Sequence, residues 1–275
     1  MTNGVLLFAH NNEQIDYVAQ ACFLAKRVKQ YLNLPTSLVT DDVERVKKFY
    51  KGNEVFDKII ASEIKRKNRK TYNDGTLSKK VLEFKNYNRS DAYDISPYDK
   101  TLVMDTDYIV SNDLFAKAFE SNHDLMMYRA SADISGWRDE KEFKLISETS
   151  IPFYWATCII FTKCKQNKIY FDLVKHIKEN YQHYRNLYQI TTTVFRNDFA
   201  FSIALSIMNH SIVKDLPGKM LYSTAGDILH KIKNDELTLL VEKENRSGQY
   251  TLLKTKGLNV HVMNKFSLNR EIANA

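Results

Sequence analysis

The chain has 275 residues, 44% hydrophobic and 27% charged, with 8 Gly and 4 Pro, which is the make-up of a globular protein with a sizeable core. A disordered or collagen-like chain is excluded, and no apolar run reaches the roughly 18 residues of a membrane-spanning helix. Lys and Arg (40) outnumber Asp and Glu (33), and the formal charge of +7 is compatible with an anionic ligand or partner.

The N-terminal stretch MTNGVLLFAHNNEQ has no basic region ahead of its six-residue apolar run, so it reads as a first strand (GVLLFA, 4–9) and not as a signal peptide. Ile15, Val18, Ala19, Cys22, Phe23 and Tyr31 then share one face at helical spacing. TSLVT (36–40) is a second strand, Asp41-Asp42 opens a second helix, and FDKIIA (56–61) is a third strand. This alternation predicts an α/β fold with a doubly wound, mostly parallel central sheet.

Residues 62–76 hold the basic run IKRKNRK (64–70) and the turn signal Asn73-Asp74-Gly75, and are expected to form a long mobile loop. The segment from Thr76 to about Asn86 is expected to be helical. TLVMD (101–105), LMMYR (125–129) and FYWATCIIF (153–161) read as strands, and 166–183 and 198–209 as helices. LTLLVEK and QYTLLK, joined through Asn245 to Gly248, predict a small C-terminal β-hairpin region. With no repeat and no low-complexity linker, one domain over 1–275 is expected. Cys22, Cys158 and Cys164 are odd in number and lack C-x-x-C spacing, which points to buried thiols and a cytoplasmic protein.

The chemistry concentrates at TLVMDTDYIV (101–110), where an apolar strand runs into Asp105-Thr106-Asp107. Residues i and i+2 of a strand face the same side, so persisting extended geometry would present both carboxylates together. Two like charges that close call for a cation or a proton between them, and Mg2+ or Mn2+ prefers oxygen ligands. Ligands of open α/β sheets also bind at the carboxyl ends of strands.

This combination resembles the GT-A glycosyltransferases, in particular the glycogenin-like, family-eight-type branch. The resemblance implies that Asp105 and Asp107 hold a divalent cation under the diphosphate of a nucleotide-sugar, with Thr106 between them. It implies that Ala9, His10 and Asn11 after the first strand, and Thr40 and Asp41 after the second, meet the nucleoside. A basic residue on a helix before the D-x-D strand would meet the phosphates, with Lys79, Lys85 and Arg89 as candidates. The late HVMNK supplies His261 as a third metal ligand, at a strand end, and Lys265 for the diphosphate; the glycine that the family places near here is missing. Tyr154 and Trp155 resemble an acceptor-side wall. In FRNDFAFSIAL (195–205), Asn197 lies on the acceptor side, and Asp198 is a catalytic candidate and an N-cap for the helix that follows.

The implied reaction moves a sugar, from UDP by family habit, to an acceptor hydroxyl; the resemblance leans to retention, with Asp198 orienting acceptor or sugar, and inversion with Asp198 as general base stays open. The compact Lys-, Asn- and Ile-rich chain looks like phage-encoded members, so a hydroxymethylated pyrimidine in DNA within the host cytoplasm is one acceptor and a surface glycan the other. Two alternatives stay open: a metal-dependent nucleotidyltransferase, which lacks its Gly-rich loop here, and a non-catalytic nucleic-acid-binding protein using the basic run.

Overall fold

The computed structural model describes residues 1–63, 68–85, 88–138, 143–148, 150–244 and 246–274. Its first third alternates as the apolar runs predict. Strand β1 (Asn3–Phe8) leads to helix α1 (Tyr17–Leu32), whose first turn is capped by the Asp16 carboxylate accepting from the Ala19 N–H. The helix ends at Asn33 in the left-handed conformation, two residues before Pro35. Strand β2 (Thr36–Thr40) follows, then α2 (Val43–Tyr50), capped by Asp42, the short α3 (Gly52–Val55) and β3 (Lys58–Ala61).

The next segment corrects the sequence reading. In place of a long loop and a helix stands a β-hairpin, β4 (Asn68–Asp74) and β5 (Ser78–Phe84), paired from Asn68↔Phe84 to Asp74↔Ser78. Its pattern is period two: Tyr72 and Leu82 are buried while Thr71 and Val81 are exposed. The many lysines mask that alternation. The turn signal itself holds, since Gly75 takes φ +68° where the strands reverse. Residues 64–67 of the basic run lie outside the described residues.

A 3-10 turn (Asn88–Asp91) and α4 (Ala92–Ile95) precede β6 (Lys100–Met104), β7 (Tyr108–Ile109), α5 (Leu114–Phe119), β8 (Leu125–Tyr128), β9 (Ser131–Asp133) and β10 (Trp155–Thr162). The predicted helix over 166–183 is two helices, α6 (Lys165–Glu179) and α7 (Tyr181–Leu187), separated at Asn180; α8 spans Asn197–Ile207. The chain continues through β11 (Lys214–Asp215), β12 (Met220–Ser223), β13 (Ile228–Lys233), β14 (Glu236–Glu242), β15 (Tyr250–Lys256), β16 (Val260–Val262) and α9 (Lys265–Asn274).

The central sheet has seven strands in the order β11-β8-β10-β6-β1-β2-β3. All are parallel except β10, which runs antiparallel between β6 and β8. Every residue of β2 and β6 is buried, as a sheet covered on both faces requires. Helix α1 contacts β1 and β2, and α8 contacts β10. Leu6, Leu7, Leu102 and Val103 are fully buried in the core around this sheet, each contributing about 1.5–3 kcal/mol.

A second core joins Leu229, Leu237, Leu239 and Val241 to Val260, Val262 and Leu268. It packs the antiparallel sheet β13-β14-β15, which contains the expected C-terminal hairpin, near the four-stranded sheet β7-β16-β12-β9. Asn245 of that hairpin lies outside the described residues.

Candidate active site

The strand β6 stops at Met104, and Asp105, Thr106 and Asp107 turn the chain toward β7. The turn is held by the Asp105 N–H on the Thr157 carbonyl (2.9 Å) and the Tyr108 N–H on the Asp105 carbonyl (3.2 Å). A turn, and not the expected continuing strand, therefore aims the two carboxylates. Antiparallel pairing of β7 with β16 sets His261 opposite Tyr108, and the Val262 N–H donates to the Asp107 carbonyl at 2.9 Å. His261 stands in the middle of β16, not at its end.

The result is a close cluster. One ligand atom each from Asp105, Asp107 and His261 lies within 4.8 Å of the others. His261 Nε2 is 3.2 Å from Asp107 Oδ2, and the Lys265 ammonium, on the first residue of α9, donates to that same oxygen. Arg89, buried in the 3-10 turn, donates to the Ala156 carbonyl and to Asp105 Oδ1. Burial alone would push the Asp107 carboxyl up, but Lys265 and His261 hold it far below the usual carboxylate range. Burial would in turn lower Lys265, and Asp107 keeps its ammonium above the ordinary value.

Two carboxylates and an imidazole at this spacing fit a hard divalent cation. Arg89 engages Asp105 Oδ1, and Lys265 and His261 engage Asp107 Oδ2, one oxygen of each carboxylate. His261 Nδ1 is buried with no hydrogen-bond partner among the described residues, so the ring lacks the outer acceptor that usually orients a metal-bound histidine.

The cluster opens into a cleft of about 570 Å³. The N-terminus of α8 also lines it, through Asn197 and Asp198. Asp198 is the second residue of that helix, and Arg196 is the capping position, with no side-chain cap bond; Asp198 is not the N-cap. Its Oδ1 accepts from the Ala156 N–H at 2.9 Å, and its Oδ2 from Arg196 at 2.9 and 3.1 Å. Burial raises the Asp198 carboxyl, but the Arg196 charge and the Ala156 N–H outweigh it and leave it below the ordinary range.

No protein-family model matches the sequence, and no curated protein matches it. Among solved structures, the chain is similar to the glycosyltransferase GlyE of Streptococcus pneumoniae TIGR4, at 15% identity and a TM-score of 0.45. That match covers 79% of this chain and 46% of GlyE, so the chain spans less than half of its length. It is also similar to the galactosyltransferase LgtC, solved with donor and acceptor sugar analogs, at 15% identity and a TM-score of 0.48 over 78% of this chain and 73% of LgtC. For mouse xyloside xylosyltransferase 1 the values are 11% and 0.47, over 78% and 85%.

The structure brings Asp105, Thr106, Asp107, Trp155, Asn197, Asp198, His261 and Lys265 to one cleft. Trp155 is only 1% exposed and sits among Phe143, Phe153 and Tyr222, so its ring is mostly core. Its Nε1 and the Asn197 Oδ1 are buried without partners among the described residues.

Other expected residues lie outside the cleft wall. Tyr154 points elsewhere and stacks on His210, with ring centroids 5.8 Å apart. Ala9 and His10 are buried, and Asn11 is engaged in the start of α1, accepting from the Val18 N–H and donating to Asp16. Thr40 is buried at the end of β2, and Asp41 pairs with Lys85 at 3.8 Å. Lys79 is exposed on β5, and neither it nor Lys85 lies on a helix before the D-x-D strand.

Sequence reasoning missed Arg196, Tyr17, Tyr72 and Lys70, all of which line the cleft. Only the period-two spacing of Lys70 with Tyr72, and of Leu82 with Phe84, signalled that the hairpin has an inner face. Among the described residues, no helix is long and apolar enough to cross a membrane, and the three cysteines are free.

Proposed function

We propose that the chain is a glycosyltransferase of the GT-A type, a single domain that moves a sugar from a nucleotide-sugar to an acceptor hydroxyl. The observation that carries this reading is the convergence of Asp105, Asp107 and His261 in a cleft that also holds Arg89 and Lys265. Such a site matches a diphosphate and its cation: oxygen and imidazole donors for the ion, fixed positive charge for the phosphate oxygens.

Manganese or magnesium, held by Asp105, Asp107 and His261, would supply Lewis-acid stabilisation of the departing diphosphate. Arg89 and Lys265 add positive charge where negative charge builds as the sugar–phosphate bond breaks. Asp198 has both oxygens engaged and is held ionised below the ordinary carboxylate range, which makes it a weak base. Its part is to orient the sugar or the acceptor, and that favours retention over an inverting mechanism. The acceptor provides a hydroxyl; a hydroxymethylated pyrimidine of phage DNA and a surface glycan both do so, and a labelled donor incubated with each class separates them. A phage-encoded enzyme working in the host cytoplasm fits the first.

The deciding experiment is a melting-temperature panel of nucleoside diphosphates and UDP-sugars, with manganese and then with EDTA. A ligand that binds only the folded state raises the midpoint by mass action. A manganese-dependent rise that Asp105→Ala and Asp107→Ala both abolish supports the reading. Folded protein that responds to no nucleotide sinks it.

A further inference from the structure

The charges lining the cleft can be balanced pair by pair. Arg89 is matched to Asp105, Lys265 to Asp107 and Arg196 to Asp198. Among the described residues, one lining cation is left over. Lys70 lines the same cleft, and among the described residues it has no carboxylate partner. Its ammonium lies instead 5.8 Å from the Tyr72 ring centroid and 5.4 Å from that of Phe84.

The strap that carries Lys70 is anchored at several points. Arg270 of α9 holds Asp74 at 2.7 and 2.9 Å, and Tyr17 bonds Tyr72 through their hydroxyls at 3.1 Å. Asn12 donates to the Glu83 carbonyl at 2.9 Å, and Lys80 to Gln14 at 2.7 Å. An ammonium set in place by a tied-down hairpin, facing a cleft whose other cations are already matched, is a prepared anion site. Aromatic faces beside it orient the ammonium without neutralising it. Desolvation, with the charges of Lys265 and Arg196, outweighs the pull of Asp107 and Asp198 and pushes Lys70 down to about 8. A pre-positioned cation with no carboxylate in contact among the described residues gains most when an anion arrives.

We propose that Lys70, presented by the β4–β5 hairpin, is a ligand-binding residue that meets the diphosphate of the nucleotide donor. This rests on the glycosyltransferase reading for the identity of the anion, but not for its presence.

The test measures binding by calorimetry for inorganic pyrophosphate, UDP and uridine, with manganese, in the wild type, Lys70→Met, Lys70→Gln and Lys70→Arg. Melting temperatures of the free proteins check folding. The expected result is a loss of about tenfold or more in pyrophosphate and UDP affinity for the Met and Gln variants, the scale of one charge-assisted contact, with Lys70→Arg close to wild type. Uridine affinity should not move. Met and Gln variants that bind pyrophosphate and UDP like wild type overturn the role of Lys70 while leaving the glycosyltransferase reading intact. Wild type that binds pyrophosphate through Lys70 but no nucleotide sinks that reading and keeps the anion site. Wild type that binds neither anion overturns both.

Discussion

Arg270 grips Asp74 through both terminal guanidinium nitrogens, at 2.7 and 2.9 Å, and so ties the turn of the β4–β5 hairpin to the C-terminal helix. The bidentate geometry holds the Asp74 carboxyl below its ordinary range, chiefly through the Arg270 hydrogen bonds. Arg270 is half exposed, so solvent screens the pair and its share of stability is modest, about 0.5–1 kcal/mol. Its larger effect is on the hairpin. Arg270→Ala should lower the affinity for UDP several-fold while moving the melting temperature by no more than a few degrees. Hydrogen exchange of the amides of 70–74 reads the loosening directly; unchanged exchange would show that other anchors suffice.

Asp107→Ala should do more than remove a ligand atom. It leaves the Lys265 ammonium and His261 without their shared carboxylate in a largely buried place. Removing one member of such a pair costs about 3 kcal/mol or more. Denaturant unfolding should therefore place Asp107→Ala well below Asp105→Ala, whose carboxylate is a quarter exposed. Equal midpoints for the two variants would contradict the buried pairing.

Asp198 makes a prediction about acid. Its carboxyl is held below the ordinary value in the folded chain, so the stability it contributes is present above about pH 4 and is lost as pH falls through the folded value. Arg196 is the main influence holding it down against burial. Arg196→Met should then raise the Asp198 carboxyl and move the acid loss of stability to higher pH. Melting temperature scanned from about pH 6 to about pH 3 should separate variant from wild type most widely at the upper end, with the two curves converging as Asp198 is protonated in acid. Parallel curves would assign the acid transition to other carboxylates.

Gly4 in β1 tests the packing of the parallel sheet. A Cβ at this position would fall on the ring of Tyr98, which is buried and hydrogen-bonds Ser37 at 2.7 Å. Gly4→Ala should destabilise by about 1–3 kcal/mol, the usual scale for overpacking, as read by urea unfolding. A neutral outcome would mean that Tyr98 swings aside freely.

The parts of the fold that were legible in the sequence are those whose signals are local. β1, β2 and β6 are short apolar runs, the apolar face of α1 recurs at helical spacing, and α2 begins at Asp42, which acts as its cap in the structure. The β4–β5 hairpin was hidden because neither face is cleanly apolar: Lys70 and Lys80 share the side of Tyr72, Leu82 and Phe84, while Val81 stands exposed on the other. At the site, Asp105 and Asp107 were visible because an apolar strand ends there. Their partners were harder. Arg89 reaches Asp105 from a 3-10 turn, and Arg196 reaches Asp198 from the residue before α8, placements that no periodicity encodes. Tyr154 and Trp155 are adjacent and look interchangeable in sequence, yet Tyr154, just before β10, stacks on His210 while Trp155, its first residue, lines the cleft.

The matching of Arg89 with Asp105, and of Lys265 with Asp107, carries a thermodynamic consequence. Neither cation can serve its carboxylate and a phosphate at full strength at the same time. An anion that recruits Arg89 and Lys265 leaves the two carboxylates short of positive charge and so sharpens their appetite for a divalent ion. By linkage, the ion must strengthen anion binding by the same factor. Under the proposed function, the cleft fills cooperatively: weak toward either partner alone, and strong toward the two together.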